Sequence, residues 1–395
     1  MKTVLVGISG GIAAFKAAQL VSDLSKKYNV EVLMTRHACE FITPLTLQTL
    51  SKNKVTVDSF DTNYAYDVHH ISQAKKADCF VIVPASANII AKIAHGIADD
   101  ALTTTFLAAN CPKIICPAMN TGMLENAITQ DNLATCTRYG MTIVNSASGL
   151  LACGDVGNGR LAELDDIYQA IEIALQRDKP FVGKKVLVNA GCTQEAIDPV
   201  RFISNHSTGK MGVEVAKEFV RLGADVTLVL GPSQLKNPYG MKTVRVTSAA
   251  QMADACIHCF KECDIAIFSG AIADYTPVNV ANEKLKKNDG SMAIECQRTV
   301  DILATCGSIK KANQVTVGFA METQNLIKYA QDKCVKKHAD FIVANTINGK
   351  DEGFGSNTNR VTLVGKNWID DPFFGTKEQV AKLIASKVEK YVIND

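Results

Sequence analysis

VLVGISGGIAAFKAAQLVSDLSK, residues 4–26, opens on a short β-branched strand, Val4–Val6. It turns on Gly7-Ile-Ser-Gly-Gly11 and continues from Ile12 to Lys26 with helical spacing. A strand, a glycine turn and a helix are the start of a βαβ unit. Lys2 ahead of an apolar run superficially resembles a secretory leader, but no small-residue cleavage site follows at the right spacing. The next strand is Val30–Met34, and a helix is expected from Thr43 with Pro44 at its first position. Cys79–Val83 and Lys113–Cys116 are buried strands, each stopped by a proline. Helices are expected over Ser86–His95, Asp99–Ala109 and Asn120–Tyr139, a strand over Met141–Val144, and a helix over Leu164–Gln176. Strands alternating with helices mean a parallel sheet, whose ligands bind outside the carboxyl ends of the strands.

The chain has 395 residues, 47% hydrophobic and 21% charged, the profile of a globular protein of two or three domains. A net charge of +2 favours neither a nucleic-acid nor a membrane surface, and no apolar run is long enough to span a bilayer. Thirteen scattered cysteines argue for a reducing, cytoplasmic setting rather than a disulfide framework. Residues 177–185 are polar and aperiodic and read as a linker. Beyond them the same grammar begins again: strands at Val186–Asn189, Asp225–Leu230, Ile265–Ser269, Val315–Phe319 and Phe341–Ala344, and helices at Gly212–Arg221, Ala249–Glu262, Thr323–Lys337 and Lys377–Tyr391. The expectation is two Rossmann-like α/β domains, 1–178 and 181–395, each a mostly parallel sheet flanked by helices.

The first turn is not G-x-G-x-x-G, and Met34-Thr35-Arg36 stands where a dinucleotide site prefers an acid. What survives is a turn able to hold one phosphate at a helix N-terminus through the Ser9, Gly10 and Gly11 region. Thr35, Ser86 and Asn88 add donors at neighbouring strand ends. That set suits a mononucleotide such as FMN, or else an ordinary sheet with polar caps. Pro117-Ala-Met119-Asn120 sets an amide after a buried strand, facing the crevice, where it also suits a helix N-cap. His69 and His70 precede a short apolar turn. ACGDVGNGR, residues 152–160, carries one thiol, Cys153, among three glycines. That glycine density points to a mobile flap rather than helix or strand, one that closes over a substrate and delivers a proton.

In the second half, Ser204-Asn-His-Ser-Thr-Gly-Lys-Met-Gly212 fails the Walker pattern at 204 and 211 but remains a polar turn entering a helix and able to bind an anion. Asp274 ends a strand. Lys284, Lys286 and Lys287 form an alternating basic loop, and Lys333 and Lys337 share a helix face. Cys256, Cys259 and Cys263 also share a face, as core thiols or, with a fourth ligand, a metal site.

With these residues in hand the chain resembles the bifunctional phosphopantothenoylcysteine decarboxylase / phosphopantothenate–cysteine ligase family of coenzyme A biosynthesis. GISGGIAAFKA, FITPLTLQ, PAMN, ACGDVGNGR, DPVRFISNHSTGKMG, AIADY and EKLKK stand in the family's order over essentially the whole length. The resemblance implies an FMN-dependent decarboxylase in residues 1–178, with His70 (or His69, since the pair stands where one histidine is expected) as the active-site histidine. Asn120 is implied as the contact to the substrate carboxylate, Cys153 as the proton donor, and Met119 at the cofactor. It implies a CTP-dependent ligase in residues 181–395 that makes an acyl-CMP from 4′-phosphopantothenate with Mg2+, its ligands unassigned, before cysteine displaces CMP. Lys284 would serve the first half-reaction and Asn205 the second. Ser269, Gly270, Asp274, Lys284, Thr299, Asp301, Ile302, Phe319, Lys333 and Lys337 would hold the nucleotide. This chain reads Thr299-Val-Asp-Ile302 where the family often has Asn-Pro-Asp-Ile. A homo-oligomer is implied as well: flavin bound between protomers of a trimer, ligase dimers, and a dodecamer. The rival readings are a nicotinamide oxidoreductase and a non-enzymatic flavoprotein regulatory subunit.

Overall fold

The computed structural model describes residues 1–58, 68–286, 292–321, 325–345 and 355–393. The chain divides into two units, Met1–Arg177 and Asp178–Asp395.

In the first unit β1 (Thr3–Ile8), β2 (Asn29–Met34), β3 (Cys79–Ala85), β4 (Lys113–Pro117) and β5 (Thr142–Ile143) pair in parallel in the order β2-β1-β3-β4-β5. Every residue of β1 and β3 is buried, because helices cover both faces; such strands read as unbroken apolar runs. The helices are α1 (Ala14–Leu24), α2 (Pro44–Ser51), α3 (His69–Lys76), α4 (Ala87–Ala94), α5 (Ala101–Ala108), α6 (Thr121–Glu125), α7 (Ala127–Arg138) and α8 (Leu164–Leu175). Thr43 caps α2 with Pro44 at its start. The single helix expected over 120–139 is two, because Asn126 adopts a non-helical backbone and caps α7. Leu5, Leu33, Phe80, Ile82, Leu102 and Phe106 share one core cluster. The chain passes from β1 to β2 on one side and crosses to β3 on the other, so the switch point lies between β1 and β3.

The glycine-rich stretch is more ordered than its composition suggests. β6 (Ala147–Leu150) and β7 (Val156–Arg160) form an antiparallel hairpin, which corrects the reading of 152–160 as neither helix nor strand. Gly157 and Gly159 serve close approach, whereas a Cβ on Gly154 would meet open space. Gly159 has φ +125°, and a Cβ there would overlap the Met119 carbonyl oxygen.

In the second unit β8 (Lys185–Ala190), β11 (Asp225–Leu230), β12 (Lys242–Arg245), β13 (Ile265–Phe268), β16 (Val315–Met321) and β17 (Phe341–Asn345) run parallel, and β18 (Thr358–Gly365) and β19 (Phe373–Thr376) add an antiparallel edge. The order is β12-β11-β8-β13-β16-β17-β18-β19, with the switch point between β8 and β13. Two small antiparallel pairs stand apart, β9 (Gln194–Ala196) with β10 (Phe202–Ser204) and β14 (Tyr275–Pro277) with β15 (Cys296–Arg298). The helices are α9 (Lys210–Arg221), α10 (Ala249–Phe260), α11 (Ile302–Ser308), α12 (Leu326–Lys336) and α13 (Lys377–Ile393). The expected start of α12 at Thr323 lies outside the described residues. Cys256 and Cys263 sit in the core cluster with Met252, Phe260 and Cys306. Burial pushes the Cys263 thiol up to about 12, as expected of a thiol in apolar surroundings. Among the described residues no helix is long and apolar enough to cross a membrane.

Candidate functional site

At the first switch point Gly10 packs so closely on the turn after β2 that a Cβ would meet His37 Cβ at 2.5 Å, whereas a Cβ on Gly11 would meet open space. The N–H groups of Gly10 and Gly11 donate to no described residue. Thr35 and Ser86 cap their helices as acceptors, from the N–H groups of Ala38 and Ile89, which leaves each hydroxyl proton available. Asn88 is exposed on the first turn of α4. Two backbone donors, two hydroxyls and an amide around an open turn fit a phosphate, so the residues present suit an FMN phosphate. Ser9 does not take the role expected for it. It is 2% exposed; its Oγ donates to the Pro84 carbonyl at 2.8 Å and accepts from the Ser86 N–H at 2.9 Å. Its only proton is spent holding β1 to the end of β3.

The PAMN turn and the hairpin come together. Met119 N–H donates to the Gly159 carbonyl at 3.0 Å, and Thr121 Oγ1 to the Asn158 carbonyl at 2.7 Å. Asn120 Oδ1 accepts from the Gly122 N–H, so it is an N-cap, while its Nδ2 donates to Cys153 Sγ at 3.5 Å. Cys153 Sγ in turn donates to Asp155 Oδ2 at 3.3 Å. The structure thus joins Asn120 and Cys153, thirty-three residues apart in sequence, and adds Asp155, the acid of the same motif, to which the sequence reading gave no role. His69 Nε2 and Thr56 Oγ1 are 3.1 Å apart. His70, beside it at the start of α3, bonds to no described side chain. No described contact links either histidine to Cys153.

At the second switch point a cavity of about 540 Å³ opens, within the range of small-molecule sites. Ser269, Gly270, Asp274, Thr299, Asp301, Ile302, Phe319, Lys333 and Lys337 all line it. Asn189, 1% exposed at the end of β8, organises one wall: its Oδ1 accepts from the Gly270 N–H at 2.9 Å and its carbonyl from Ser269 Oγ at 2.6 Å. Ser269 therefore repeats what Ser9 does in the first unit, and its hydroxyl proton is likewise spent. Thr299 Oγ1 donates to the Ala273 carbonyl at 2.6 Å, so that side chain offers a ligand only acceptor capacity. Lys333 Nζ donates to the Phe319 carbonyl at 2.7 Å. Asp301 caps α11 and pairs with Lys337 at 2.7 Å. Partial burial opposes its charge, but the Lys337 ammonium and the Ala304 N–H outweigh burial and hold the carboxyl below its ordinary value. Asp274 is exposed, and its carboxylate makes no bond to a described residue.

Asn205 and Lys284 do not line this cavity. Asn205 Nδ2 reaches its edge, donating to the Ala271 carbonyl at 2.9 Å. Lys284 is exposed on a loop fixed by Asp198, a residue the sequence reading left without a role. The buried Asp198 carboxylate accepts from Arg201 Nε and Nη2 (3.0 and 2.6 Å), from the Val200 and Arg201 N–H groups, and from the Leu285 N–H at 3.1 Å. These bonds, the Arg201 guanidinium first, hold its carboxyl far below the usual range. The acid–arginine spacing in DPVR was the available signal. Lys287 lies outside the described residues.

Residues 1–176 match the flavoprotein family, and residues 181–392 match the DNA/pantothenate metabolism flavoprotein C-terminal domain. Two α/β units, a flavoprotein followed by a pantothenate-metabolism domain around a nucleotide-sized cavity, define a two-activity enzyme. The chain is 45% identical over 370 residues to the coenzyme A biosynthesis bifunctional protein CoaBC of Bacillus subtilis (strain 168), covering 93% of this chain and 91% of that one. It is 40% identical over 392 residues to the protein of the same name from Haemophilus influenzae, covering 99% and 98%. A cysteine/cysteine sulfinic acid decarboxylase from an unknown prokaryotic organism is 44% identical over 353 residues, covering 88% and 98%. The chain belongs to the family of coenzyme A biosynthesis bifunctional proteins, enzymes that are ligase and decarboxylase in one chain.

Proposed function

We propose that the second unit joins cysteine to 4′-phosphopantothenate through an acyl-CMP made from CTP, and that the first unit decarboxylates the product to 4′-phosphopantetheine with FMN. The observation that carries this reading is the cavity at the β8/β13 switch point, lined by residues drawn from segments 269–274, 299–302, 319 and 333–337. A carboxylate is a poor electrophile until its oxygen is esterified to phosphorus. Lysines offset the phosphate charge as that bond forms. Lys333 and Lys337 stand at the cavity for this, and the loop of Lys284 is tethered to the Asp198 turn through the Leu285 N–H. Mg2+ binds through substrate phosphates and one or two carboxylates, and Asp274 is the acid with a carboxylate to offer.

In the first unit, bound FMN supplies a two-electron sink that makes loss of CO2 feasible. This chain's residues do the rest. The donors of Gly10, Gly11, Thr35, Ser86 and Asn88 hold the phosphate, and Met119 sits beside the crevice. Asn120 Nδ2 contacts the substrate carboxylate and His70 completes the site. Cys153, held between Asn120 and Asp155, returns the last proton from Sγ. We place the enzyme in the cytoplasm as a homo-oligomer, a dodecamer of trimers and dimers.

A mass-spectrometric assay with phosphopantothenate, cysteine and CTP, omitting each in turn, tests both units. No diphosphate from the complete mixture, together with cysteamine formed from cysteine alone, would replace this reading with that of a simple cysteine decarboxylase. Cys153→Ser is expected to keep its flavin, lose CO2 from substrate and accumulate the oxidised enethiol. Normal product from that variant removes Cys153 from the mechanism.

A further inference from the structure

The proposed reaction gives Asp155 no task, yet the hairpin tip is folded so that its carboxylate meets Cys153. The Leu151 N–H donates to the Asp155 carbonyl at 2.8 Å and the Gly154 N–H to the Leu151 carbonyl at 3.0 Å. These bonds close a tight turn in which Gly154 takes φ +92°, a conformation that suits glycine. Cys153 and Asp155 are both exposed, and across this turn Sγ donates to Oδ2 at 3.3 Å.

The direction of that bond is set from the other side. Asn120 Oδ1 accepts from the Gly122 N–H at 2.9 Å, which orients the amide and turns its Nδ2 to Sγ at 3.5 Å. With a donor there, the thiol's single proton is left for Asp155. A thiolate would keep the bond from Asn120, lose the bond to Asp155, and face a carboxylate with no proton between them. Two such charges at this distance in water repel by about as much as a tenfold change in an equilibrium. Among the described residues no cation pairs with the Asp155 carboxylate to offset this. The other charged groups about the hairpin are Glu125 on α6, which accepts from Asn158 Nδ2 at 3.4 Å, and Arg160 at the end of β7, paired with Glu163 at 2.5 Å.

We propose that Asp155 is a positioning residue of the decarboxylase: its carboxylate keeps Cys153 in the proton-bearing form between turnovers, so that an exposed cysteine serves as an acid and not as a nucleophile. This rests on the reading of Cys153 as donor of the last proton. In that step the Sγ–H bond breaks and its proton forms a C–H bond at the carbon that lost CO2. The electron pair of the new bond comes from the carbon–carbon double bond of the enethiolate, and the S–H pair stays on Sγ. The carbon–sulfur double bond so formed is reduced by the hydride that the substrate's own oxidation gave up. Water then returns a proton to Sγ, which the neighbouring carboxylate favours by opposing the thiolate. A carbon–sulfur double bond is an electrophile that a thiolate attacks, so a thiol at this place protects the reaction as well as completing it.

The test is alkylation of the full chain by iodoacetamide, followed at the Cys153 peptide by mass spectrometry. The variant is Asp155→Asn, which keeps the side chain's shape and removes its charge. The thiolate is the form that reacts. At pH 7 Cys153 of the variant should react about tenfold faster, and the two rates should converge by about pH 11, where free thiols are ionised. With phosphopantothenoylcysteine the variant should release CO2 and divert a fraction of turnovers, rising with pH, into the oxidised enethiol. Equal alkylation rates at pH 7 overturn the inference. An acceleration that stays the same at pH 11 overturns it too, and assigns Asp155 to the shape of the tip. So does product equal to CO2 at every pH, since Asp155 would then have no bearing on the proton's return. Failure of the underlying reading shows elsewhere, as normal product from Cys153→Ser, and takes the inference with it whatever the alkylation rates.

Discussion

Ser9 and Ser269 do the same work from opposite sides of the two switch points, Ser9 after β1 and Ser269 after β13. Each follows a central parallel strand, and each gives its hydroxyl proton to a carbonyl of the neighbouring strand: Pro84 for Ser9 and Asn189 for Ser269. A hydroxyl has one proton to donate, so neither can also donate it to a phosphate. Ser9→Ala is therefore expected to act on the fold of the turn before it acts on the ligand. It leaves the Pro84 carbonyl and the Ser86 N–H without that partner and should cost about 1–3 kcal/mol of stability. Denaturant unfolding of the flavin-free protein checks this. A free-standing phosphate donor would instead give an unchanged apo-protein and weaker flavin binding. Residue types were readable here, as serine, glycine and asparagine gathered at strand ends. Which atoms were already bonded was not, because that depends on the approach of a second strand 75 residues away.

At the scale of elements, the β6–β7 hairpin carries Cys153 to Asn120, and the Asp198 turn holds a loop distant in sequence. The hairpin is seated by the Met119 and Thr121 bonds to β7, and Gly159 makes the seat possible. Gly159→Ala places a Cβ on the Met119 carbonyl at a positive φ. It should displace β7, at a local cost of about 1–3 kcal/mol, and separate Cys153 from Asn120. Decarboxylation should drop sharply in a coupled assay while ligase turnover is untouched; equal loss in both would point to general unfolding. The Asp198 turn makes an acid-side prediction. Its folded carboxyl lies below the unfolded value of about 3.9. A depressed carboxyl stabilises the fold above the unfolded value, and the contribution is lost as pH falls through the folded one. Asp198→Asn should therefore be much less stable than the unaltered chain at neutral pH, with the gap narrowing below about pH 4. Urea titrations at neutral and acid pH measure that gap, and a constant gap would mean Asp198 keeps an ordinary carboxyl. The sequence had shown the glycines, but composition alone could not distinguish a loose flap from a strand that needs glycine to pass close to a carbonyl.

For the whole molecule, the contacts divide the chain after Arg177, and the matched families end and begin at residues 176 and 181. Cutting the chain there is expected to give two folded pieces, residues 1–177 coloured by flavin and residues 178–395 consuming CTP. Mixing them should restore conversion of phosphopantothenate to phosphopantetheine. A colourless first piece, or a second piece that unfolds at ordinary temperature, would mean that each unit needs the other. The repeated strand–helix grammar was legible end to end, because parallel strands covered on both faces are written as unbroken apolar runs. The antiparallel edge of β18 and β19 was not, and neither were the small pairs β9–β10 and β14–β15, whose short strands carry too few residues for a period to emerge. What the amino-acid order determined by itself was local: the apolar runs, the caps at Thr43 and Ser86, and the polar residues waiting at strand ends. What only the tertiary structure decided was company. It brought Cys153 to Asn120 and Leu285 to Asp198. A hydrogen bond or a shared cavity depends on distances of a few ångströms, which chain neighbours set for one another and distant residues acquire only when the sheets close.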